Sequence, residues 1–149
     1  MVSSLPHGKK RYKAFVSYDG TEFHGFAENP GVETVAGKIR ESLEMILGGR
    51  VDITCAGRTD AGVHAEGQVI SFDTQDFDYS RVQKSLNKLC APYISIRNLQ
   101  EAEDHFSARF SAITNICTQE VHPSTAMSTL RISTLGCTCG SIWICIAAL

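Results

Sequence analysis

The sequence predicts an α+β domain in which an antiparallel sheet carries two helices on one face, the ferredoxin-like arrangement. The main observation is the order of predicted elements over residues 11–112, which is strand, helix, strand, strand, helix, strand. A second is that both helical segments carry recognisable start and stop signals. The third is size, because 149 residues with 43% hydrophobic and 20% charged content suit one folded domain.

The first strand and the first helix are each predicted by hydrophobic periodicity. Apolar or aromatic residues alternate with Lys13, Phe15 and Ser17, which gives the first strand two different faces. The first helix is expected to begin after Thr34, a good N-cap, and to stop at Gly48-Gly49. The alternating strand positions are Tyr12, Ala14, Val16 and Tyr18, and the helical positions are Val35, Ile39, Leu43, Ile46 and Leu47.

The remaining elements follow from shorter patterns. Residues 51–55 alternate as the second strand, and residues 68–73 form the third. Ser80 and Gln83 suit a capping box for the second helix, which should end near Pro92. Residues 93–99 then supply the fourth strand.

Composition limits the classes of function. A formal net charge of −2 gives no global case for nucleic-acid binding, so any RNA site must be local. Residues 1–10 are predicted to be a disordered, polar tail with neither a signal peptide nor a membrane anchor, which favours a cytoplasmic protein. Without a signal peptide, the six cysteines are expected to be reduced thiols.

Residues 113–149 differ sharply from the part before them. They contain only two charged residues, Glu120 and Arg131, and show neither helical nor alternating periodicity. This composition favours a stretch translated out of frame or from non-coding sequence. The alternative is a metal or redox tail, although its ligand spacing is irregular for zinc; it would use Cys137, Cys139, Cys145 and His122.

The segment between the second and third strands, residues 57–66, is long for a hairpin connection and is therefore a candidate functional loop. Gly57 and Gly62 bracket it, and in an extended segment Arg58 and Asp60 project to the same side. A direct ion pair would favour an ionised Asp60, as a nucleophile requires. The alternative is a surface ion pair or a turn-capping aspartate.

Residues 11–112 resemble the N-terminal portion of the TruA-type tRNA pseudouridine synthases. The most specific of the segments that carry this resemblance surrounds Asp60. The segments are Tyr18-Asp19-Gly20-Thr21-Glu22-Phe23-His24-Gly25-Phe26, Gly57-Arg58-Thr59-Asp60-Ala61-Gly62-Val63-His64-Ala65, Gly67-Gln68-Val69 and Phe106-Ser107-Ala108-Arg109-Phe110-Ser111-Ala112.

The resemblance implies an isomerase that converts uridine to pseudouridine at positions 38–40 of the tRNA anticodon stem-loop. It identifies Asp60 as the nucleophile and Arg58 as its partner, which helps to hold the extruded substrate. No metal or organic cofactor is implied, and the family acts as homodimers on tRNA. Arg109 and the basic cluster Lys9, Lys10 and Arg11 are further candidates for phosphate contact, although a solvated terminus explains the cluster equally well.

The chain also departs from the family pattern. Family members run on into a second ferredoxin-like half, and a tyrosine that stacks on the target uracil is expected just after Ala112. No Phe, Tyr or Trp occurs between Ser111 and Ile142, so we expect a truncated synthase with little or no turnover. One alternative is a non-catalytic RNA-binding or dimerisation fragment. A hydrolase that pairs Asp60 with Glu66 is a weaker one, because the loop offers no strong carboxyl pair.

Overall fold

The computed structural model describes residues 8–110, 112–119 and 141–147. Of the last two segments it describes the backbone alone. The elements, in chain order, are β1 (Lys10–Tyr18), α1 (Val35–Leu47), β2 (Ile53–Cys55), β3 (His64–Thr74), α2 (Tyr79–Cys90), β4 (Ile94–Ala102), β5 (Ala112–Gln119) and β6 (Ser141–Ala147), with a short 3-10 turn at Gly20–Glu22.

The first four strands form the predicted antiparallel sheet. β1 lies between β4 and β3, and β2 pairs with β3, so the order is β4-β1-β3-β2. On the same edge of β3 as β2, the N-terminal end of β3 pairs in parallel with β6 over His64–Glu66, and β6 pairs antiparallel with β5. Periodicity predicted neither β5 nor β6, and the reading of residues 113–149 as out of frame stays a prediction.

Both helices pack on one face of this sheet, as predicted. α1 and α2 contact each other, and their apolar residues share one buried cluster with the inward residues of the strands. The residues of this cluster that are least exposed include Tyr12, Val16, Val35, Ile39, Leu43, Leu86 and Ile96. The opposite face carries a smaller cluster in which Val69 packs with Phe106 and Ala108.

The first helix has the predicted bounds because both of its ends are capped. The Thr34 hydroxyl accepts a hydrogen bond from the Gly37 N–H at 3.2 Å, and Gly48 ends the helix at φ 72°. The second helix begins earlier than predicted, at Tyr79, because the Asp78 carboxylate accepts from the Arg81 N–H at 3.1 Å. Ser80 is therefore not the cap.

Gln83, the other half of the predicted capping box, has a different role. Its side-chain oxygen accepts from the Leu99 N–H at 2.9 Å, which ties α2 to β4. Cys90, at the end of α2, is a free thiol whose pKa is raised by burial. None of the helices in the described part of the chain is both long and apolar enough to cross a membrane.

Candidate active site

The first residues of the loop that carries Asp60 are hydrogen-bonded to β3. The loop spans residues 56–63, shorter than predicted, because β3 begins at His64 and runs through Gly67 at φ 81°. The Ala56 N–H donates to the Val69 carbonyl at 2.9 Å. The Gln68 side-chain amide, which is fully buried, donates to the Gly57 carbonyl. The backbone is thereby fixed immediately before Arg58.

Thr59 anchors the middle of the loop. Its side chain is buried, and its hydroxyl lies 2.7 Å from the hydroxyl of Tyr18, at the end of β1. Arg58 and Asp60, on either side, are exposed. The predicted alternation is therefore confirmed, since Thr59 points into the protein and its charged neighbours do not.

The predicted ion pair between Arg58 and Asp60 is not formed. No nitrogen of the Arg58 guanidinium lies within 4.0 Å of an Asp60 carboxylate oxygen, and the structure describes both residues. The physical reason is that both side chains are in water, where a salt bridge gains little and must fix two mobile side chains. Both groups are consequently free to contact a substrate.

A second loop supports the first from the side. The Phe26 N–H donates to the Thr59 carbonyl at 3.0 Å, and the Gly62 N–H donates to the Phe23 carbonyl at 3.2 Å. Gly25, at φ 91°, lies so close that a Cβ atom there would be 2.9 Å from the Thr59 oxygen. Phe23 and Phe26 are buried in the main core, so this second loop is itself fixed.

The end of the Asp60 loop packs on the turn that follows β1. A Cβ atom on Gly20 would lie 1.9 Å from the Val63 carbonyl oxygen, so only glycine fits. Next to it, Nδ1 of His64 lies 3.2 Å from the Gly20 amide and 3.1 Å from the Asp19 carboxylate. A surface cleft of about 340 Å³ begins here; it is lined in part by Ser17, Asp19, His64, Glu66, Tyr93 and Ser95.

The proposed phosphate contacts Lys10 and Arg11 lie elsewhere. Both are at the start of β1, and at about 3.3 Å per strand residue Arg11 is roughly 23 Å from Tyr18. The Arg11 guanidinium binds Asp73 through two hydrogen bonds of 2.7 and 2.8 Å, which raises its pKa. Lys10 lies 3.1 Å from Glu101, whose hydrogen bond raises the pKa of the lysine.

The other two candidate contacts are exposed. Lys9 precedes β1, and the Arg109 guanidinium lies 5.5 Å from the centre of the Phe110 ring. Phe110 itself is 83% exposed, so this cation and ring form a surface feature rather than part of the core. The structure thus places Lys10 and Arg11 in ion pairs within the fold and leaves Lys9 and Arg109 at the surface.

The residues that fix the Asp60 loop were not identified from the sequence as part of the site. Tyr18 is a buried core residue of β1, and its hydroxyl also reaches Thr59. For Gln68 the sequence did offer a signal of a special role, because it is a polar residue within the apolar run of β3.

Where side chains are described, no group of three or more His, Cys, Asp or Glu residues is arranged to hold a metal ion. His122 and the side chains of Cys137, Cys139 and Cys145 lie outside the described residues.

The Asp60 loop lies within the part of the chain that is similar to known proteins. A family model described as tRNA pseudouridine synthase matches residues 14–111. A tRNA pseudouridine synthase A from Geobacillus sp. (strain WCH70) is 47% identical over 105 residues, which is 69% of this chain and 42% of that protein.

Two further relatives bear the same name. One from Listeria monocytogenes serotype 4a is 44% identical over 105 residues, covering 69% of this chain and 42% of the relative. One from Chlorobium phaeovibrioides is 46% identical over 100 residues, covering 66% and 41%. The chain therefore spans about two fifths of the length of these curated relatives.

Proposed function

The chain belongs to the tRNA pseudouridine synthase family, and from that premise we propose that it isomerises uridine to pseudouridine in tRNA with Asp60 as nucleophile. The observation that carries the proposal is the combination of an exposed carboxylate and a fixed backbone. Asp60 is open to solvent, while the residues before and after it are held by Tyr18, Phe26 and Phe23. A nucleophile needs both access and orientation.

The reaction suits a site of this kind. The bond between C1' and N1 breaks, the uracil turns, and C1' bonds to C5; C5 loses a proton and N1 gains one, so the product is an isomer. The Asp60 carboxylate can attack either the sugar or the base. A carboxylate can act as the nucleophile and water can carry the protons, and the resemblance implies no cofactor.

The target uridine must leave its stack before it reaches Asp60, which costs a few kcal/mol. We assign Arg58 to the displaced strand, because an exposed guanidinium two residues from Asp60 can bind phosphate without giving up an existing ion pair. Arg109 and Lys9 are exposed and suit more distant phosphate contacts. Lys10 and Arg11 are weaker candidates, since RNA would compete with Glu101 and Asp73.

The partners that we propose are those that the family resemblance implies. The substrate is tRNA, with uridines 38–40 of the anticodon stem-loop as the targets that the family implies, and the assembly is a homodimer. The compartment that we propose is the cytoplasm. Light scattering on the purified chain would report the assembly.

The test is replacement of Asp60. Asp60→Asn should lower the release of tritium from tRNA labelled at C5 of uridine by roughly three orders of magnitude or more, because the nucleophile is lost. The matched control is Asp52→Asn, which removes an exposed aspartate outside the Asp60 loop. The Asp52 carboxylate forms a long ion pair of 3.7 Å with the equally exposed Arg50. That variant should keep the activity of the unaltered chain.

Measurable turnover by the unaltered chain that is equalled by Asp60→Asn would contradict the proposal. Turnover that is absent from the unaltered chain, with tRNA binding that survives Asp60→Ala, would instead support a non-catalytic RNA-binding or dimerisation fragment.

A further inference from the structure

Two buried polar side chains from two different strands reach the segment on the N-terminal side of Asp60. The Tyr18 hydroxyl, on β1, lies 2.7 Å from the Thr59 hydroxyl, and Tyr18 is 4% exposed. The Gln68 amide, on β3, donates to the Gly57 carbonyl and is 0% exposed. Together they hold the residues on either side of Arg58, and Thr59 is the residue directly before Asp60.

Gln68 is a poor choice for stability alone. Within the described part of the chain, its side-chain oxygen is buried and has no hydrogen-bond partner. Burial of an unpaired amide oxygen opposes folding, and an apolar side chain of similar volume would avoid that cost. What the amide provides in return is a donor to the Gly57 carbonyl, at the start of the loop.

We propose that Tyr18 and Gln68 are positioning residues that fix the Asp60 carboxylate relative to the substrate. This inference rests on the proposed function, because it gives a catalytic meaning to the orientation of Asp60. Neither side chain touches the substrate; each acts through the backbone or side chain of the loop. Small displacements of a reacting group are costly to catalysis, which is why such supports matter.

Hydrogen exchange tests the positioning without requiring turnover. Three backbone amides report on the loop, because each forms a hydrogen bond that involves a loop residue. The Phe26 N–H donates to the Thr59 carbonyl, the Gly62 N–H to the Phe23 carbonyl, and the Val63 N–H to the Asp60 carbonyl. In Tyr18→Phe we expect their exchange to quicken about fivefold to tenfold, the scale of one buried hydrogen bond. Exchange of the amides shared by β1 and β4 should not change.

Matched variants separate a local from a general effect. Tyr12→Phe removes a buried phenol from the same strand, where its hydroxyl lies 3.5 Å from Asp76, and should leave the loop amides unaffected. Gln68→Met should act as Tyr18→Phe does, whereas Gln83→Met removes an amide that binds Leu99 instead. Thr59→Ser keeps the hydroxyl and should behave as the unaltered chain, but Thr59→Val should not.

Turnover supplies the second readout. Tyr18→Phe and Gln68→Met should lower kcat about tenfold or more with KM within twofold, because orientation of Asp60 rather than RNA binding is lost. Unchanged loop exchange relative to the Tyr12→Phe and Gln83→Met controls would overturn the inference, as would faster exchange spread equally over β1 and β4. Turnover that does not depend on Asp60 would overturn the proposed function, while the exchange data would still decide whether the loop is held as described.

Discussion

Asp19 shows how single hydrogen bonds set the charge of a group beside the candidate site. Its carboxylate accepts from the Thr21 hydroxyl at 2.6 Å and from the Thr21 N–H at 3.0 Å. The hydroxyl bond is the main cause that holds the pKa of Asp19 below its ordinary value, followed by the backbone bond, with His64 as a minor contributor. Thr21 therefore favours the ionised form of Asp19.

This can be tested by Thr21→Val. Loss of the hydroxyl donor should raise the pKa of Asp19 towards its ordinary value of 3.8, followed by NMR titration of its carboxyl carbon. Thr21→Val should also lower the stability of the protein, because a carboxyl whose pKa is lowered in the folded state stabilises that state at pH values above the unfolded pKa. The stability lost in Thr21→Val should be full above about pH 4 and should vanish as pH falls through the lowered pKa. Thr21→Ser, which keeps the hydroxyl, should match the unaltered chain; a pKa that stays low in Thr21→Val would contradict the assignment.

At the same scale, the sequence predicted that Arg58 and Asp60 project to the same side of the loop but not the distance between them. The alternation of Arg58, Thr59 and Asp60 depends only on local geometry, so it could be read from spacing. The distance between two exposed charges depends on solvent and on rotamers, which spacing does not determine. The role of Gln68 was equally hidden, because its partner Gly57 is brought to it only by the pairing of β2 with β3.

At the scale of elements, the close contact between the turn after β1 and the Asp60 loop limits what either can contain. Gly20 lies against the Val63 carbonyl with no room for a side chain. Gly20→Ala should therefore lower the free energy of unfolding by at least about 2 kcal/mol, measured in urea, because backbone must move on both sides. The control is Gly49→Ala, whose added Cβ meets nothing within 4 Å and should change stability by less than about 0.5 kcal/mol. Equal stability of the two variants would contradict this prediction, because it would show that the backbone at Gly20 and Val63 can move apart at little cost in free energy.

The elements also show where periodicity succeeds. α1 was predicted with its full bounds because Thr34 and Gly48 mark both ends in the sequence itself. The start of α2 was misplaced because two good caps, Asp78 and Ser80, lie two residues apart and only tertiary packing chooses between them. The start of β3 was missed because Gly67 looked like the end of a loop, whereas its positive φ allows the strand to pass through.

At the scale of the whole molecule, the described core is built within residues 12–108. β6 reaches the rest of the sheet through His64–Glu66 of β3, whereas β1 pairs along most of its length with both β3 and β4. A chain that ends at residue 110 should therefore keep its far-UV circular dichroism and unfold cooperatively in urea. A broad transition without cooperativity would show that β5 and β6 are needed to complete the core.

The central position of β1 has a consequence for synthesis on the ribosome. β1 is made first among the described strands, yet both of its partners come later: β3 begins at His64 and β4 at Ile94. At roughly 5–20 residues per second, the last residue of β1 precedes the first of β4 by about 4–15 s. Until β3 is complete at Thr74, both edges of β1 lack their final partners, and the edge that pairs with β4 lacks its partner for the whole interval. Such edges invite pairing with other chains. The strand that ends at Tyr18, beside the candidate site, is thus the one that a nascent-chain chaperone would have the longest time to bind.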